Sequence, residues 1–150
     1  MIGNSDNSET LNTLTTTLID SINGYTDAAE NARSPQFQQI FRKLADERST
    51  VVEELRAEVR RTGGDPSDDG SLLGKTHQRF LDLKAAVTGR DDKAIINEVE
   101  RGEDYLKEKF EAALTAEGLS SESRLVIERA YQSVRHGHDQ MRDLKHGMEA

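Results

Sequence analysis

Apolar residues that recur at spacings of three and four, in four long segments, constrain the fold of this chain more than any other feature. That spacing places the side chains along one face of an α-helix, whereas a half-buried strand would alternate every second residue. The sequence therefore predicts four long amphipathic helices, each burying one stripe. The stripes are Leu11, Leu14, Leu18, Ile22, Tyr25, Ala29 and Ala32; Phe37, Ile40, Phe41, Leu44, Val51, Leu55 and Val59; Ile95, Val99, Glu103, Leu106, Phe110 and Ala113; and Val126, Ala130, Val134, Gly137, Met141 and Leu144.

Glycine, proline and capping residues separate these segments. Ser8 is expected to cap the first helix, Ser34-Pro35 to start the second, and Gly63-Gly64-Asp65-Pro66 to end it. In Thr88-Gly89-Arg90-Asp91-Asp92 a glycine ends one helix and an aspartate caps the next, which Glu117-Gly118 ends in turn. The predicted helices cover residues 8–33, 35–62, 71–88, 91–116 and 120–147.

Long helices joined by short turns bury their stripes most simply as antiparallel neighbours in a bundle. We therefore predict an all-α fold, a four-helix bundle with one additional short helix (71–88) in the connection between the second and third staves. The bundle forms a single domain over residues 1–150, with an ordered core from about 8 to 147.

Charge and composition exclude several classes of function. The formal net charge is −8, which argues against a basic surface for nucleic acid or for an anionic membrane. The chain has no cysteine, so it holds neither thiolate metal ligands nor a thiol nucleophile. Residues 1–10 contain neither the basic start nor the apolar core of a secretory signal, so a cytoplasmic location is expected.

Motifs that would carry catalysis are missing from the sequence. It contains no Gly-x-Ser-x-Gly elbow, no phosphate-binding loop and no dinucleotide fingerprint. A di-iron centre in a helical bundle would need Glu-x-x-His pairs, and none of the four histidines follows a glutamate at that spacing. We predict no catalytic residues and expect that the protein is not an enzyme.

Charged residues nevertheless interrupt two of the apolar stripes near the middle of their helices. Glu47 and Arg48 lie in the second long helix, and Glu103 lies in the next long helix. Packed at similar heights, Arg48 and Glu103 could form a bidentate ion pair in a buried polar layer. We predict this structural polar core of Arg48, Glu47 and Glu103, with no cofactor.

The alternative interpretation of the same positions is a metal site. Glu47, His77, Glu100, Glu103 and His138 are its candidate ligands, and iron, manganese or zinc its candidate metals. Two positions argue against it. His77 lies on the short connecting helix, and His138 is placed about ten residues from the middle of the last helix, or ~15 Å along its axis.

Short stretches along most of the chain also carry a family resemblance. They are Leu11-Asn12, Asp20, Gly24-Tyr25, Arg48, Gly63-Gly64-Asp65-Pro66, Gly70-Ser71, His77, Phe80, Asp82-Leu83-Lys84, Thr88-Gly89-Arg90-Asp91-Asp92, Glu100-Arg101-Gly102-Glu103-Asp104 and His138-Asp139. Their order resembles that in an uncharacterised bacterial family of ferritin-like four-helix bundles, domain of unknown function 2383, from about Thr10 to Leu144. The resemblance implies a ferritin-like bundle and no known activity.

These observations lead to one expected function and one alternative. The expected function is that of a non-enzymatic, cytoplasmic ferritin-like bundle connected with stress or with protein interaction, the stress connection resting on analogy with ferritin-like proteins. The alternative is a metal-binding ferritin-like protein with a mononuclear or degenerate dinuclear carboxylate and histidine site. The sequence leaves open whether the partner is a second copy of the chain or another protein. Neither nucleic acid nor a membrane is expected as a partner.

Overall fold

The computed structural model describes residues 2–66 and 92–149, with side chains for residues 8–66 and 92–147. These residues form four helices: α1 (Ile2–Asn31), α2 (Pro35–Arg61), α3 (Asp92–Leu114) and α4 (Ser121–Glu149). No strand occurs in either described range. Over these two ranges the predicted all-α fold with four long helices is confirmed. The short helix predicted at 71–88, with His77, lies outside the described residues.

Capping residues set most helix ends where the sequence placed them. The Ser34 hydroxyl accepts a hydrogen bond from the backbone N–H of Phe37, with Pro35 as the first residue of α2. At the other end, the N–H groups of Gly63 and Gly64 donate to the carbonyls of Arg60 and Val59, and Gly63 has φ +86°. This Schellman arrangement ends α2 because glycine adopts positive φ without a steric penalty.

The predicted start of α1 at Ser8 was wrong, because the helix begins at Ile2. Ser8 is not a cap: its hydroxyl lies 3.2 Å from the Thr62 hydroxyl at the end of α2. One turn later, the Asn12 side chain donates to the carbonyl oxygen of Asp65 (2.9 Å). The first turns of α1 therefore contact the end of α2, and this contact was invisible in the periodicity of α1 itself.

Contacts between helix ends define the topology. Both carboxylate oxygens of Asp92, at the start of α3, accept backbone N–H groups at the α1–α2 turn, from Arg33 (2.8 Å) and Ser34 (3.0 Å). The sequence predicted that an aspartate here caps its own helix. Asp92 instead joins the start of α3 to the α1–α2 turn. Ser123, near the start of α4, bonds to Glu58 near the end of α2. Each helix consequently runs antiparallel to both of its neighbours.

This arrangement places α2 and α3 parallel to each other across the diagonal of the bundle. The end of α2 lies beside the start of α1, and the start of α3 lies beside the end of α1. Pro66 and Asp92, which bracket the undescribed residues, are therefore at opposite ends of the bundle. None of the helices in the described ranges is long and apolar enough to cross a membrane.

The core lies along the bundle axis and contains most of the predicted stripe residues. Every stripe residue of α3 is buried, whereas Ile22, Phe37, Ile40, Val126 and Leu144 are only partly buried. Further residues that the stripes did not include are buried as well: Thr15, Thr17, Ser21, Ala28, Ala45, Val52, Glu58, Ile96, Ser123 and Ile127. Burial of the two threonines is tolerated because their hydroxyls donate to the carbonyls four residues earlier.

A buried carboxylate fastens α2 to α4. Glu58, which is 5% exposed, accepts the Ser123 hydroxyl (2.7 Å) and two hydrogen bonds from Arg61 (2.7 and 2.5 Å). The Arg61 hydrogen bonds, with a further contribution from Ser123, lower the pKa of Glu58 below its ordinary value of about 4.5 despite its burial. The ionised form of Glu58 is therefore the one that stabilises the fold.

The contribution of Glu58 to the free energy of unfolding should decrease at acid pH. Because its pKa is lowered by folding, the contribution is complete above about pH 4.5 and is lost as the pH falls through the lowered value. Glu58→Gln should cost about 1 kcal/mol of unfolding free energy near neutral pH and should flatten the acid decline. Urea unfolding across the acid range measures both effects. An equal effect from Glu128→Gln, at an exposed position on α4, would contradict the assignment.

Candidate functional site

A bidentate ion pair occupies the middle of the bundle. Arg48 Nη1 donates to Glu103 Oε1 (2.9 Å), and Arg48 Nη2 donates to Glu103 Oε2 (2.7 Å). The side chains are 1% and 0% exposed, respectively. Since Arg48 lies on α2 and Glu103 on the diagonally opposite α3, the pair spans the space between all four helices.

Helix α1 supplies a polar and an aromatic contact to the guanidinium. The Ser21 hydroxyl accepts a third hydrogen bond, from Arg48 Nη1 (2.7 Å). One turn along α1, the ring of Tyr25 lies with its centroid 5.5 Å from Arg48 Cζ, a cation–π distance. Tyr25 in turn packs against Phe41, with ring centroids 6.0 Å apart. The positive charge is thus held by a carboxylate, a hydroxyl and a ring.

Helix α4 contributes the space that the guanidinium needs. A Cβ atom on Gly137 would lie 2.4 Å from Arg48 Nη2 and 3.4 Å from Glu103 Oε2. No side chain tolerates the shorter distance, and Glu103 and Ser21 prevent Arg48 from simply swinging away. Gly137 therefore allows α4 to approach the ion pair, so that all four helices meet at it.

Burial and charge shift the pKa values of the groups at this centre. Desolvation would lower the pKa of Arg48, but the adjacent Glu103 carboxylate outweighs it and raises that pKa above its usual value. Burial raises the pKa of the Tyr25 hydroxyl well above its usual value, and the negative charge of Glu103 raises it further. Arg48 is thus fixed as a cation and Tyr25 as a neutral phenol.

The chemistry available at this centre is that of a structural ion pair. The guanidinium cannot act as a base, and its carboxylate partner is occupied by two charge-assisted hydrogen bonds. The Tyr25 hydroxyl lacks a hydrogen bond of acceptable geometry among the described residues and is fully buried. Nothing in this set of side chains presents a nucleophile to solvent.

The structure brings together Arg48 and Glu103 but keeps Glu47, Glu100 and His138 out of their hydrogen bonds. Glu47 is half-buried and lies outside the hydrogen bonds of Arg48, because the adjacent position on a helix points about 100° away. It acts on Arg48 only through its charge. Glu100, one turn before Glu103, lies with Oε2 3.4 Å from Lys145 Nζ. Its geometry there is that of an ion pair without a well-formed hydrogen bond.

His138 lies near the central layer, which agrees with its position only about four residues from the middle of the predicted helix 120–147. Since Gly137 contacts Arg48, the layer crosses α4 at that residue, and the expected displacement of ~15 Å was wrong. The imidazole does not point at the ion pair, however. Its Nε2 lies 2.5 Å from Asp104 Oδ1, and its Nδ1 lies 3.4 Å from Asp139 Oδ1. Hydrogen bonding to His138 lowers the pKa of Asp139.

The candidate metal ligands therefore separate into different environments. Within residues 2–66 and 92–149, no group of three or more histidine, aspartate or glutamate side chains is arranged to hold a metal ion. Glu103 is bonded to Arg48, Glu100 faces Lys145, and His138 bridges Asp104 and Asp139. His77, the remaining candidate, lies outside the described residues.

Sequence reasoning placed Tyr25 and Gly137 on the buried stripes, but it assigned neither of them, nor Ser21, to the central layer. Ser21 and Tyr25 are separated by four residues on the buried face of α1, and Gly137 follows Val134 by three on that of α4. The spacing that places them beside Arg48 is visible in the sequence. Which heights on α1 and α4 meet Arg48 depends on the register of the helices, which the sequence of one helix does not contain.

Comparison with known proteins gives a family and nothing more specific. The family model described as "Domain of unknown function (DUF2383)" matches residues 6–116, which is most of the chain. The resemblance to domain of unknown function 2383 is thereby confirmed over residues 6–116, and His138-Asp139 and the rest of α4 lie beyond the match. No curated protein matches the chain.

Two glycines on α4 provide a matched test of the packing at the ion pair. Gly137→Ala should destabilise the fold by about 1–3 kcal/mol, since the added methyl group displaces a guanidinium that is held on two sides. Gly147→Ala meets nothing within 4 Å and should be neutral or stabilising by up to ~1 kcal/mol through helix propensity. Thermal and urea unfolding measure both variants. Equal stability of the two would rule out the close approach.

The ion pair itself can be tested by removing one partner and then both. Arg48→Met should cost about 3–5 kcal/mol because it leaves Glu103 charged and buried without a partner. The double variant Arg48→Met/Glu103→Leu should recover most of that loss, since it leaves no buried charge uncompensated. Unfolding free energies of the two variants decide the point. If the double variant is no more stable than Arg48→Met, the cost of the single change does not come from an unpaired carboxylate.

Proposed function

We propose that this chain, which belongs to the DUF2383 family of unknown function, is a non-enzymatic, ferritin-like bundle that acts through protein interaction. The observation that carries the proposal is the Arg48–Glu103 pair, which fills the middle of the bundle with a satisfied pair of charges. On this proposal the interior maintains the shape of the molecule, and the outer helix faces carry its function in the cytoplasm.

The topology supports the ferritin-like part of the proposal. Bundles of that class place one long crossover connection between their second and third staves. Here α2 and α3 are parallel, and Pro66 and Asp92 lie at opposite ends of the bundle, as such a crossover requires. Fold analogy alone assigns no activity, however, and the function must be argued from the side chains in the bundle.

The charge at the centre supports the absence of a resident metal cofactor. A carboxylate-bridged dinuclear centre needs about six inward ligands around two cations. In this chain Arg48 brings a fixed positive charge to that space and takes both oxygens of Glu103. A divalent cation would have to displace the guanidinium, leaving it buried without its carboxylate, at a cost of several kcal/mol.

On this proposal, the function resides on the outer helix surfaces. Most charged side chains of the described helices lie there, whereas the buried charges Arg48, Glu58 and Glu103 are engaged within the bundle. A connection with stress stays an expectation that rests on analogy with ferritin-like proteins. The interaction proposal is the one that the distribution of charges supports.

Metal analysis tests this proposal against its alternative. The full chain, purified without a histidine tag and without chelator, should contain iron, manganese and zinc well below one equivalent by mass spectrometry. Adding each metal in excess should leave the unfolding midpoint unchanged, because only a ligand that prefers the folded state raises it. Glu103→Gln serves as the matched variant, since it removes the central carboxylate charge with little change in shape.

Two outcomes would overturn the proposal. Stoichiometric metal in the wild-type chain that is lost in Glu103→Gln would place a metal at the ion pair. A metal-induced rise of the unfolding midpoint that depends on Glu103 would do the same without requiring any activity assay. Either result would favour the metal-binding alternative over an interaction protein.

A further inference from the structure

A histidine on α4 lies between two carboxylates where α4 packs against α3. The side chain of His138 is 12% exposed. Its Nε2 lies 2.5 Å from Asp104 Oδ1 on α3, and its Nδ1 lies 3.4 Å from Asp139 Oδ1 on α4 itself. Each ring nitrogen therefore faces an oxygen that, in an ionised carboxylate, can only accept a hydrogen bond.

The contact of His138 with Asp104 is the middle one of three polar contacts between α3 and α4. They occur at intervals of seven residues along α4. The pairs are Tyr131 with Glu111, His138 with Asp104, and Lys145 with Glu100. Histidine is the side chain that ordinarily changes its charge between about pH 5 and 8. Of these three contacts, the middle one is therefore expected to respond to pH in that range.

The charge of the ring decides how many of its contacts are attractive. A neutral imidazole has a single N–H group, so it can donate to Asp104 or to Asp139 but presents a lone pair to the other carboxylate. The imidazolium has an N–H group on each nitrogen and can donate to both. Hydrogen bonding to His138 is also the largest cause of the lowered pKa of Asp139. The arrangement of the three side chains therefore fits the protonated ring.

Most of the other charges around His138 are already paired. Arg142 lies 3.5 Å from Asp139 and 3.6 Å from Asp143. Arg48 of α2, which reaches the neighbouring Gly137, is neutralised by Glu103. The described charged or titratable groups along this part of α3 and α4 are Glu100, Asp104, Lys107 and Glu111, and Tyr131, Arg135, Asp139, Arg142 and Lys145. Among them, the two aspartates contact the ring directly.

We propose that His138 is a pH-sensitive link between α3 and α4, which joins Asp104 to Asp139 when the ring is protonated and holds only one of them when it is neutral. Folding places the ring between two carboxylates and so favours the protonated form. The contribution of His138 to stability is therefore present on the acid side of the histidine range and is lost as the pH rises through it. This inference goes beyond the proposed function and does not depend on it.

The effect of His138 has the opposite sign to that of Glu58 and occurs in a different pH range. The lowered pKa of Glu58 keeps that carboxylate ionised above about pH 5, so its contribution is constant there. The contribution of His138 should grow as the pH falls from about 8 to about 5. Measurements above about pH 5 therefore report on His138 without a change at Glu58.

Urea unfolding of the full chain at about pH 5.5 and at about pH 8 tests the link. His138→Gln keeps an N–H donor of similar reach but cannot take up a proton. Its unfolding equilibrium constant, relative to wild type, should be about threefold larger at the lower pH than at the higher, the size expected for contacts with half-exposed carboxylates. Asp139→Asn should show a dependence of the same sign, and it keeps the test open if His138→Gln does not fold.

His136→Gln is the matched control, because His136 is exposed and points away from His138, residues two apart on a helix diverging by about 200°. Its effect on stability should be the same at both pH values. Equal destabilisation by His138→Gln at the two pH values, or the same pH dependence in His136→Gln, would overturn the proposed link. A metal held by His138 would stabilise the wild type more at the higher pH, since metals bind the neutral ring. That opposite sign would contradict the link and the proposed function together, whereas a flat response would contradict the link alone.

Discussion

The Arg48–Glu103 pair is the constraint on which the rest of the bundle depends, because it buries two full charges among the apolar side chains of the interior. Removing one charged partner inside a protein is costly, and displacing either helix along its axis would break the pair just as surely. The pair joins α2 to the diagonally opposite α3 and thereby fixes two helices that are not close neighbours. This one bidentate contact therefore fixes the axial register of α2 relative to α3.

The other two helices pack around that contact. Polar contacts between helices also occur at both ends of the bundle. Helix α1 offers Ser21 and the ring of Tyr25, and α4 offers Gly137, where a larger residue would strike the guanidinium. At one end the Asp92 carboxylate satisfies two backbone N–H groups of the α1–α2 turn. At the other, Glu58 ties α2 to Ser123. Polar contacts at three heights thus select one alignment among the many that apolar stripes would permit.

Periodicity predicted the helices and most of the core because burial of an apolar stripe is a property of one segment at a time. Arg48 and Glu103 were recognisable for the same reason, as charges that interrupt a stripe where only a partner could make burial tolerable. What depends on register escaped prediction. The contacts of Gly137 with Arg48 and of Ser8 with Thr62 follow from how helices align, which no single stripe encodes. The displacement of ~15 Å expected for His138 was wrong for a different reason, because the middle of the predicted helix 120–147 lies only about four residues, or ~7 Å, from His138.

In this bundle the residues that determine stability lie in the interior, and the residues available for recognition lie on the outward faces. Substitutions at the ion pair act on all four helices, since each contributes to it, and they should alter the shape of every surface together. Substitutions on an outward face such as that of α2 touch none of these contacts and can change charge without disturbing the core. The exposed charges of α2 lie outside the contacts that hold the core, on the side of the helix opposite Arg48. A charged face on a helix that the ion pair holds in place suits binding, because the backbone is already ordered and only side chains lose conformational freedom when a partner docks.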